Sequence, residues 1–271
     1  MTQWLKVDKC LIMGVMNITP DSFFDGGKLS SLDVALTHAE QLIKEGADIL
    51  DVGGESTRPG AEPVDLEQEV DRVIPVIQKL KEEFDIKVSV DTSKAKVMQA
   101  AVDVGVDMLN DVTALSDSHS LSVVAKSQLP ICVMHMQGEP RTMQASPQYQ
   151  DVVSEVNQFL ADIAEKCQQE GVKPENIILD PGLGFGKSLE HNLRLLASVP
   201  ALSKLGYPVL IGGSRKSMLG ELLSRDVDER MPASIALAAQ AALNGANIVR
   251  VHDVQATYDA VRLVEAVAQY Q

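Results

Sequence analysis

The stretch Lys44-Glu45-Gly46-Ala47-Asp48-Ile49-Leu50-Asp51-Val52-Gly53 contains the unit from which the fold can be predicted. Gly46 suits the C-terminus of a helix, because glycine readily adopts the left-handed conformation found there. The apolar run after it shows little alternation of polar and apolar residues, which is typical of a parallel strand buried on both faces. A charged residue, Asp51, stands near the end of that run. The stretch therefore predicts a helix end followed by a buried strand with a polar tip.

The same alternation continues along the chain. Short runs rich in Val, Ile and Leu predict eight strands, at residues 11–17, 48–52, 87–91, 108–111, 131–135, 177–180, 209–212 and 248–252. Helical patterns lie between them, near residues 32–45, 65–84, 94–104, 119–127, 150–170, 188–203, 216–224 with 231–244, and 255–269. Eight strands alternating with helices predict an α/β fold, a (β/α)8 TIM barrel with residues 1–271 as a single domain. An open doubly wound sheet is the competing architecture.

The composition argues against several classes of partner. The chain has 24 Lys and Arg against 38 Asp and Glu, a formal net charge of −14. A surface this acidic is unsuited to binding nucleic acid or an anionic membrane. No run approaches the ~18 apolar residues of a membrane span, and the N-terminus lacks a signal-peptide pattern. Cys10, Cys132 and Cys167 form no C-x-x-C motif, which favours reduced, buried thiols in a cytoplasmic protein.

Polar side chains stand at the end of nearly every predicted strand. In βα barrels the active site lies at the C-terminal ends of the strands. One such residue is often a turn former or a helix cap, but many on one rim predict a functional site. The residues concerned are Asn17, Asp51, Asp91, Asn110 with Asp111, His135, Asp180, residues 213–216 ending in Lys216, and Arg250 with His252.

Positive charge is expected to concentrate on this rim. Arg58, Lys216, Arg250 and His252 lie at or just beyond separate strand ends. Val251 separates Arg250 from His252, so strand alternation points both side chains to one face. This pattern predicts a local site for phosphate or diphosphate. The alternatives are an ion pair between Arg250 and a rim carboxylate, and a structural role for His252.

The carboxylates predict recognition of a planar heterocycle. Asp180 emerges from a buried strand and needs hydrogen-bond donors, which an amidine-like N–H edge can supply in pairs. Lys216 can donate to acceptors on the opposite edge, and Asn110 can both donate and accept. Asp51 and Asp91 can bind the ligand, orient Lys216 or stabilise developing positive charge. Their alternative is a rim ion-pair network.

Two glycine-rich segments fail the nucleotide-binding motifs. In residues 180–188, Pro181 stands where a P-loop needs its first glycine, and Lys187 stands where the dinucleotide motif needs its last. In residues 213–217, Arg215 occupies the glycine position. We therefore expect these glycines to let the backbone approach a flat ligand closely, or to form tight turns.

Two longer motifs resemble signatures of the dihydropteroate synthase family. The first is Gly14-Val15-Met16-Asn17-Ile18-Thr19-Pro20-Asp21-Ser22-Phe23, and the second is Asp51-Val52-Gly53-Gly54-Glu55-Ser56-Thr57-Arg58-Pro59-Gly60. Shorter motifs around Asp91, Asn110, Asp180, Lys216 and Arg250 follow in the family's order. The resemblance runs from about Cys10 to beyond His252.

The resemblance implies a (β/α)8 barrel, usually homodimeric, that uses Mg²⁺ to join 6-hydroxymethyl-7,8-dihydropterin diphosphate to p-aminobenzoate. It implies catalytic roles for Asp91, Asp180, Lys216 and Arg250. The pterin would lie against Asp91, Asn110, Asp180 and Lys216, with Asp51 and Met134 also lining the substrate site. The diphosphate would lie near Asn17, Arg58, Arg250 and His252, with Asn17 contacting Mg²⁺. The p-aminobenzoate site would be bordered by Thr57, Arg58, Pro59, Phe185 and Ser217, under two loops at residues 17–28 and 53–63.

Two other functions are compatible with a pterin site of this type. A methyltransferase barrel acting on methyltetrahydrofolate shares the carboxylates and the asparagine but needs no diphosphate cradle. The segment 57–59 and the pair Arg250 and His252 argue against it. A catalytically silent pterin-binding scaffold is disfavoured because every expected polar position is filled.

Overall fold

The computed structural model describes residues 3–5, 7–18, 31–56, 63–138 and 142–270, and within them eight parallel strands form one sheet. The hydrogen-bonded order is β6-β5-β4-β3-β2-β1-β8-β7. A bridge between Leu179 and Val209 joins the two outer strands, so the sheet curls into a barrel and is not an open doubly wound sheet. The strands are β1 Leu11–Asn17, β2 Ile49–Gly53, β3 Lys87–Asp91, β4 Met108–Asp111, β5 Ile131–Met134, β6 Ile177–Asp180, β7 Leu210–Ile211 and β8 Ile248–Val251.

Helices in the connections between strands cover the outside of this barrel. Residues 188–203, expected as one helix, form two, because Pro200 cannot continue a helix and stands in the first turn of the second. The helices within the described residues are α1 Ser31–Lys44, α2 Leu66–Glu83, α3 Ala95–Asp103, α4 Ser120–Ser127, α5 Val152–Gln169, α6 Leu189–Ala197, α7 Val199–Ser203, α8 Ser217–Leu223, α9 Met231–Leu243 and α10 Val254–Ala268.

Two apolar cores lie on opposite faces of the sheet. The outer core packs the strands against the helices and includes Leu50, Val90 and Val249. The inner core fills the barrel and is closed at its base by Leu5 and Trp4. Because both faces of each strand are buried, the strands lack the alternation of a half-exposed sheet. The inner core contains Leu11, Met13, Ile49, Met108, Cys132, Ile178, Leu210 and Ile248.

The strand period of two places the polar strand ends inside the barrel. Asp51, Asn110, Asp180 and Arg250 each follow an inner-core residue by two positions. Side chains two apart along a strand share a face, so these four groups stand above the apolar interior at the C-terminal mouth. Asp111, predicted on the rim beside Asn110, has the opposite parity and does not join these groups. Its carboxylate accepts hydrogen bonds from the backbone of the turn that follows β4.

The three cysteines are free and buried, as the sequence predicts. Burial raises the pKa of Cys10 to about 12 and that of Cys167 to about 11, so these thiols stay protonated and unreactive near neutral pH. Among the described residues, no helix combines the length and apolar character needed to span a bilayer.

Candidate active site

Arg250 reaches from β8 across the barrel mouth to two carboxylates. Its Nε donates to Asp51 Oδ2 at 2.6 Å, and one Nη donates to Asp91 Oδ2 at 2.7 Å. Asn110 Nδ2 donates to the same oxygen of Asp51 at 3.1 Å. The rim ion pair considered for Arg250 is therefore present. Asp51 and Asp91 therefore bond Arg250, and among the described residues neither carboxylate has a hydrogen bond from Lys216.

Burial controls the charges in this cluster. It raises the pKa of Asp91 to about 7, although Arg250 opposes the shift. Burial by itself would lower the pKa of Arg250. The negative charges of Asp51 and Asp91 outweigh this effect, so the Arg250 pKa is raised. The second oxygen of Asp51, Oδ1, is buried without a hydrogen-bond partner among the described residues. A buried carboxylate oxygen of this kind is an acceptor for a ligand's N–H group.

Asp180 and Lys216 form the second polar group at the mouth. Asp180 ends β6, and the backbone N–H of Gly182 donates to its Oδ1 at 2.7 Å. Burial raises the Asp180 pKa, and Lys216 offsets part of that shift. Burial lowers the pKa of Lys216 to about 8, which Asp180 opposes. Lys216 Nζ donates to the carbonyl of Leu183 and lies 4.2 Å from the centroid of the Phe185 ring, a cation–π distance.

Three glycines shape the turn after β6. Gly182, Gly184 and Gly186 have φ values of +66°, +82° and +66°, a region that other residues rarely adopt. A Cβ at Gly182 or Gly186 would overlap a backbone carbonyl of His135 or Gln137. Of the two roles expected of these glycines, the structure shows the tight turn, which packs closely against the chain after β5.

Several other residues predicted for the site follow the C-terminal ends of strands. Met134 is buried with Phe185 in a small apolar cluster beside Asp180, its partner in strand register. Ser217 is exposed at the start of α8, and Asn17 ends β1. His252 follows β8, with its Nδ1 3.0 Å from Ser214 Oγ. Thr57, Arg58 and Pro59 lie outside the described residues.

Sequence reasoning missed an ion-pair network beside the second motif. Lys94 donates to Glu69 at 2.5 Å and also bonds Glu55, whose other oxygen accepts from the backbone N–H of Val64. The burial of Glu69 could have been predicted from the sequence, because Glu69 lies four residues before Val73 on the buried face of α2. A glutamate at such a position needs a cation. Its partner Lys94 could not have been predicted, because the two residues are 25 positions apart in sequence.

The mouth can bind a flat, polar ring. It offers carboxylate acceptors at Asp51 and Asp180, donors at Asn110, Lys216 and Arg250, and the small apolar cluster along one wall. Such an arrangement matches a heterocycle that has N–H groups on one edge and acceptors on another.

Comparison with known proteins agrees with this chemistry. Residues 13–252 match the family model of pterin-binding enzymes. The dihydropteroate synthase of Escherichia coli K12 is 49% identical over 255 residues, covering 94% of this chain and 90% of the relative.

Solved structures match the fold over nearly the same span. The Yersinia pestis dihydropteroate synthase, solved with a sulfonamide drug, has a TM-score of 0.92 and 46% identity, covering 96% of this chain and 95% of the other. The Xanthomonas albilineans enzyme, solved with 4-aminobenzoic acid, has a TM-score of 0.91 and 46% identity, with coverage of 96% and 94%. These relatives are synthases, so the methyltransferase alternative has no support among them. The chain belongs to the dihydropteroate synthases of the pterin-binding enzyme family, the transferases of folate biosynthesis that condense 6-hydroxymethyl-7,8-dihydropterin diphosphate with p-aminobenzoate to give 7,8-dihydropteroate and diphosphate.

Proposed function

We propose that the polar side chains at the barrel mouth carry the dihydropteroate synthase reaction of this chain. The observation that supports this most directly is the convergence of Asp180, Asn110 and Lys216 above the apolar interior. We assign Asp180 and the unpartnered oxygen of Asp51 to the N–H groups of the pterin. Lys216 would donate to the ring acceptors on the opposite edge, exchanging its bond to the Leu183 carbonyl for one to the substrate.

The diphosphate would lie toward Arg250 and His252, with Arg58 contributing from the segment outside the described residues. Asp51 and Asp91 hold two nitrogens of Arg250, and we assign the third, Nη1, to a phosphate oxygen. Because the carboxylates fix the guanidinium, little side-chain entropy is lost when the anion binds.

The reaction breaks the bond between the pterin methylene carbon and a diphosphate oxygen. Positive charge then develops on the methylene and the pterin ring. We assign its stabilisation to the carboxylates of Asp91 and Asp180, which are buried. The aryl amine of p-aminobenzoate forms the new carbon–nitrogen bond and loses one proton. No protein nucleophile is needed, so the chain contributes binding, orientation and charge.

The p-aminobenzoate subsite would be formed by Phe185 and Ser217, with Thr57, Arg58 and Pro59 completing it. The Xanthomonas albilineans relative was solved with 4-aminobenzoic acid, and the Yersinia pestis relative with a sulfonamide. We propose that both ligand types bind here in this chain. The Phe185 ring is buried against Lys216, which would place the benzoate ring next to the pterin methylene.

A Mg²⁺ ion fits the donors present. The described residues contain no cluster of three or more His, Cys, Asp or Glu able to hold a metal. Mg²⁺ bound to phosphate substrates commonly uses one or two protein oxygens and completes its shell with phosphate and water oxygens. The amide oxygen of Asn17 at the end of β1 can be such a ligand. When bound, the ion would neutralise charge on the departing diphosphate.

A coupled-substrate assay tests the proposed function. Purified protein with Mg²⁺ should release diphosphate only when both substrates are present. Asp180→Asn should lower kcat/KM at least tenfold, whereas Asp162→Asn, an exposed change on α5, should leave it within twofold. Diphosphate release without p-aminobenzoate, or full activity of Asp180→Asn, would contradict the assignment.

We further propose that the chain is a cytoplasmic homodimer that pairs through α8 and α9. Leu222, Leu223, Met231 and Leu243 are between 39% and 51% exposed. Exposed apolar groups concentrated on neighbouring elements are typical of an interface. Sedimentation velocity should give about twice the 29.3 kDa chain mass. The double substitution Leu223→Glu with Leu243→Glu should give a monomer, and a wild-type monomer at micromolar concentration would refute the proposal.

A further inference from the structure

The turn of residues 182–188 is held by hydrogen bonds to every one of its carbonyl groups. Four donors are side chains from outside the turn, and they come from three parts of the chain. Such complete satisfaction fixes the backbone path of a segment whose glycines would otherwise leave it flexible. The pairs are Gly182 O with Phe185 N, Leu183 O with Lys216 Nζ, Gly184 O with Gln144 Nε2, Phe185 O with Lys187 Nζ, Gly186 O with Tyr149 Oη, and the Lys187 and Ser188 carbonyls with Asn192 Nδ2.

Lys187 is the buried anchor of this turn. It is 3% exposed, and its Nζ donates to the carbonyls of Phe185 at 2.9 Å and His135 at 3.2 Å. The third partner is His135 Nδ1, at 2.9 Å. An ammonium group has three N–H donors, so three acceptors satisfy it completely.

The protonation state of His135 agrees with this arrangement. Burial, together with the charge of Lys187, lowers the pKa of His135 to about 3, so its imidazole is neutral and its Nδ1 accepts. Burial lowers the Lys187 pKa to about 7, and Asp180 opposes that shift. The His135 ring is itself held edge-on against Phe159, with centroids 4.9 Å apart. The anchor therefore joins the turn to a fixed side chain at the end of β5.

We propose that Lys187 is a positioning residue, which acts on the reaction by fixing the turn on which Lys216 and Phe185 rest. It holds the carbonyl of Phe185, whose ring lies under the Lys216 ammonium. The Lys216 ammonium also bonds the carbonyl of Leu183, two residues earlier on the same turn. Lys187 thus holds the turn that carries both groups contacted by Lys216. The proposal depends on the roles of Lys216 and Phe185 proposed above.

A double-mutant cycle separates this role from a purely structural one. Lys187→Met keeps the side-chain length but removes all three donors. It should weaken binding of the pterin diphosphate by about tenfold, and raise the KM for p-aminobenzoate by a similar factor. In a Lys216→Met background the same substitution should change pterin affinity less than twofold, because the group being positioned is absent. Lys173→Met, an exposed control outside the site, should change neither value.

The outcomes of the cycle are distinguishable. If Lys216→Met alone leaves pterin affinity unchanged, the proposed function of Lys216 fails. If Lys216→Met weakens binding but Lys187→Met has the same effect in both backgrounds, Lys187 does not act through Lys216 and the positioning role is refuted. A change in urea stability with unaltered affinity refutes it as well.

A milder variant keeps the test usable if Lys187→Met does not fold. Tyr149→Phe removes the donor to Gly186 O, a 2.9 Å bond, and retains the ring that packs near His135 and His191. It should weaken pterin binding about threefold in the wild-type background and less than 1.5-fold with Lys216→Met. Equal losses in the two backgrounds would overturn the proposal.

Discussion

Replacing Arg250 with methionine would leave two buried carboxylates without their shared cation. Asp51 is fully buried and Asp91 is 7% exposed, and the guanidinium donates to both within 2.7 Å. Removing one partner of a buried ion pair costs about 3–5 kcal/mol, because the remaining charge is uncompensated. Near pH 5.5 Asp91 is protonated and neutral, so the variant loses only the ion pair with Asp51. We therefore expect the free energy of unfolding to fall by an amount near the lower end of this range, about 3 kcal/mol.

The loss should grow above neutral pH. Arg250 lowers the Asp91 pKa, so without it that pKa rises further above 7. Between pH 7 and the new value, the folded variant keeps a proton on Asp91 that the unfolded chain has released. Its unfolding free energy then falls by about 1.4 kcal/mol per pH unit, while the wild-type Asp91 is ionised in both states. The difference between the two proteins should therefore increase from pH 7 to pH 8.5, by at most about 2 kcal/mol.

Urea unfolding at pH 5.5, 7 and 8.5 measures both effects. Asp91→Asn in the Arg250→Met background should remove the additional loss at pH 8.5, because the titrating group is gone. The matched control is Arg194→Met, which breaks an exposed pair with Glu190 and should cost less than about 0.5 kcal/mol at every pH. A loss for Arg250→Met that is below 1 kcal/mol, or one that does not change with pH, would refute the reasoning.

Three further predictions concern the ligands and the turn. Lys216→Met should weaken pterin binding 10- to 100-fold by calorimetry, from the loss of about 1.5–3 kcal/mol in charged hydrogen bonds, with the fold intact. Wild-type binding should weaken as pH rises through about 8, where the ammonium loses its proton, and a flat profile would exclude that donor. Asn17→Ala should raise the Mg²⁺ concentration for half-maximal activity about tenfold, and chelation of Mg²⁺ should abolish turnover in the wild type and in the variant. An unchanged Mg²⁺ concentration for half-maximal activity would show that Asn17 is not a ligand of the metal. Gly186→Ala should lower the free energy of unfolding in urea by at least about 3 kcal/mol. The control Gly105→Ala should lower it by about 1 kcal/mol, because a Cβ there meets no atom within 4 Å in the described structure. Equal losses would show that the turn relaxes around the added methyl group.

The barrel and its rim could be predicted because both depend on local patterns. An apolar run that ends in Asp51, Asp180 or Arg250 encodes a buried strand and a polar tip. The strand period of two then decides which residues face the interior. Applied strictly, the same rule would also have separated Asn110, which points inward, from Asp111, which accepts hydrogen bonds from a turn and was predicted on the rim. These features need no knowledge of distant partners.

The contacts among the rim residues could not be predicted, because they join distant parts of the chain. Arg250 is 199 residues from Asp51 and 159 from Asp91 in sequence. Lys187 is 52 residues from His135, and its partners become visible only when the turns after β5 and β6 meet. The sequence indicates which polar groups reach the mouth, while packing between strands and turns decides how they pair.

Trp4, which closes the base of the barrel with Leu5, is an intrinsic fluorescence probe. Trp4 is the chain's single tryptophan, and it packs against the inner core, at the end of the barrel away from the polar mouth. Its emission should respond to melting of the barrel interior and remain nearly silent when substrates bind. Fluorescence can therefore report unfolding of this protein separately from ligand occupancy, even in a single titration.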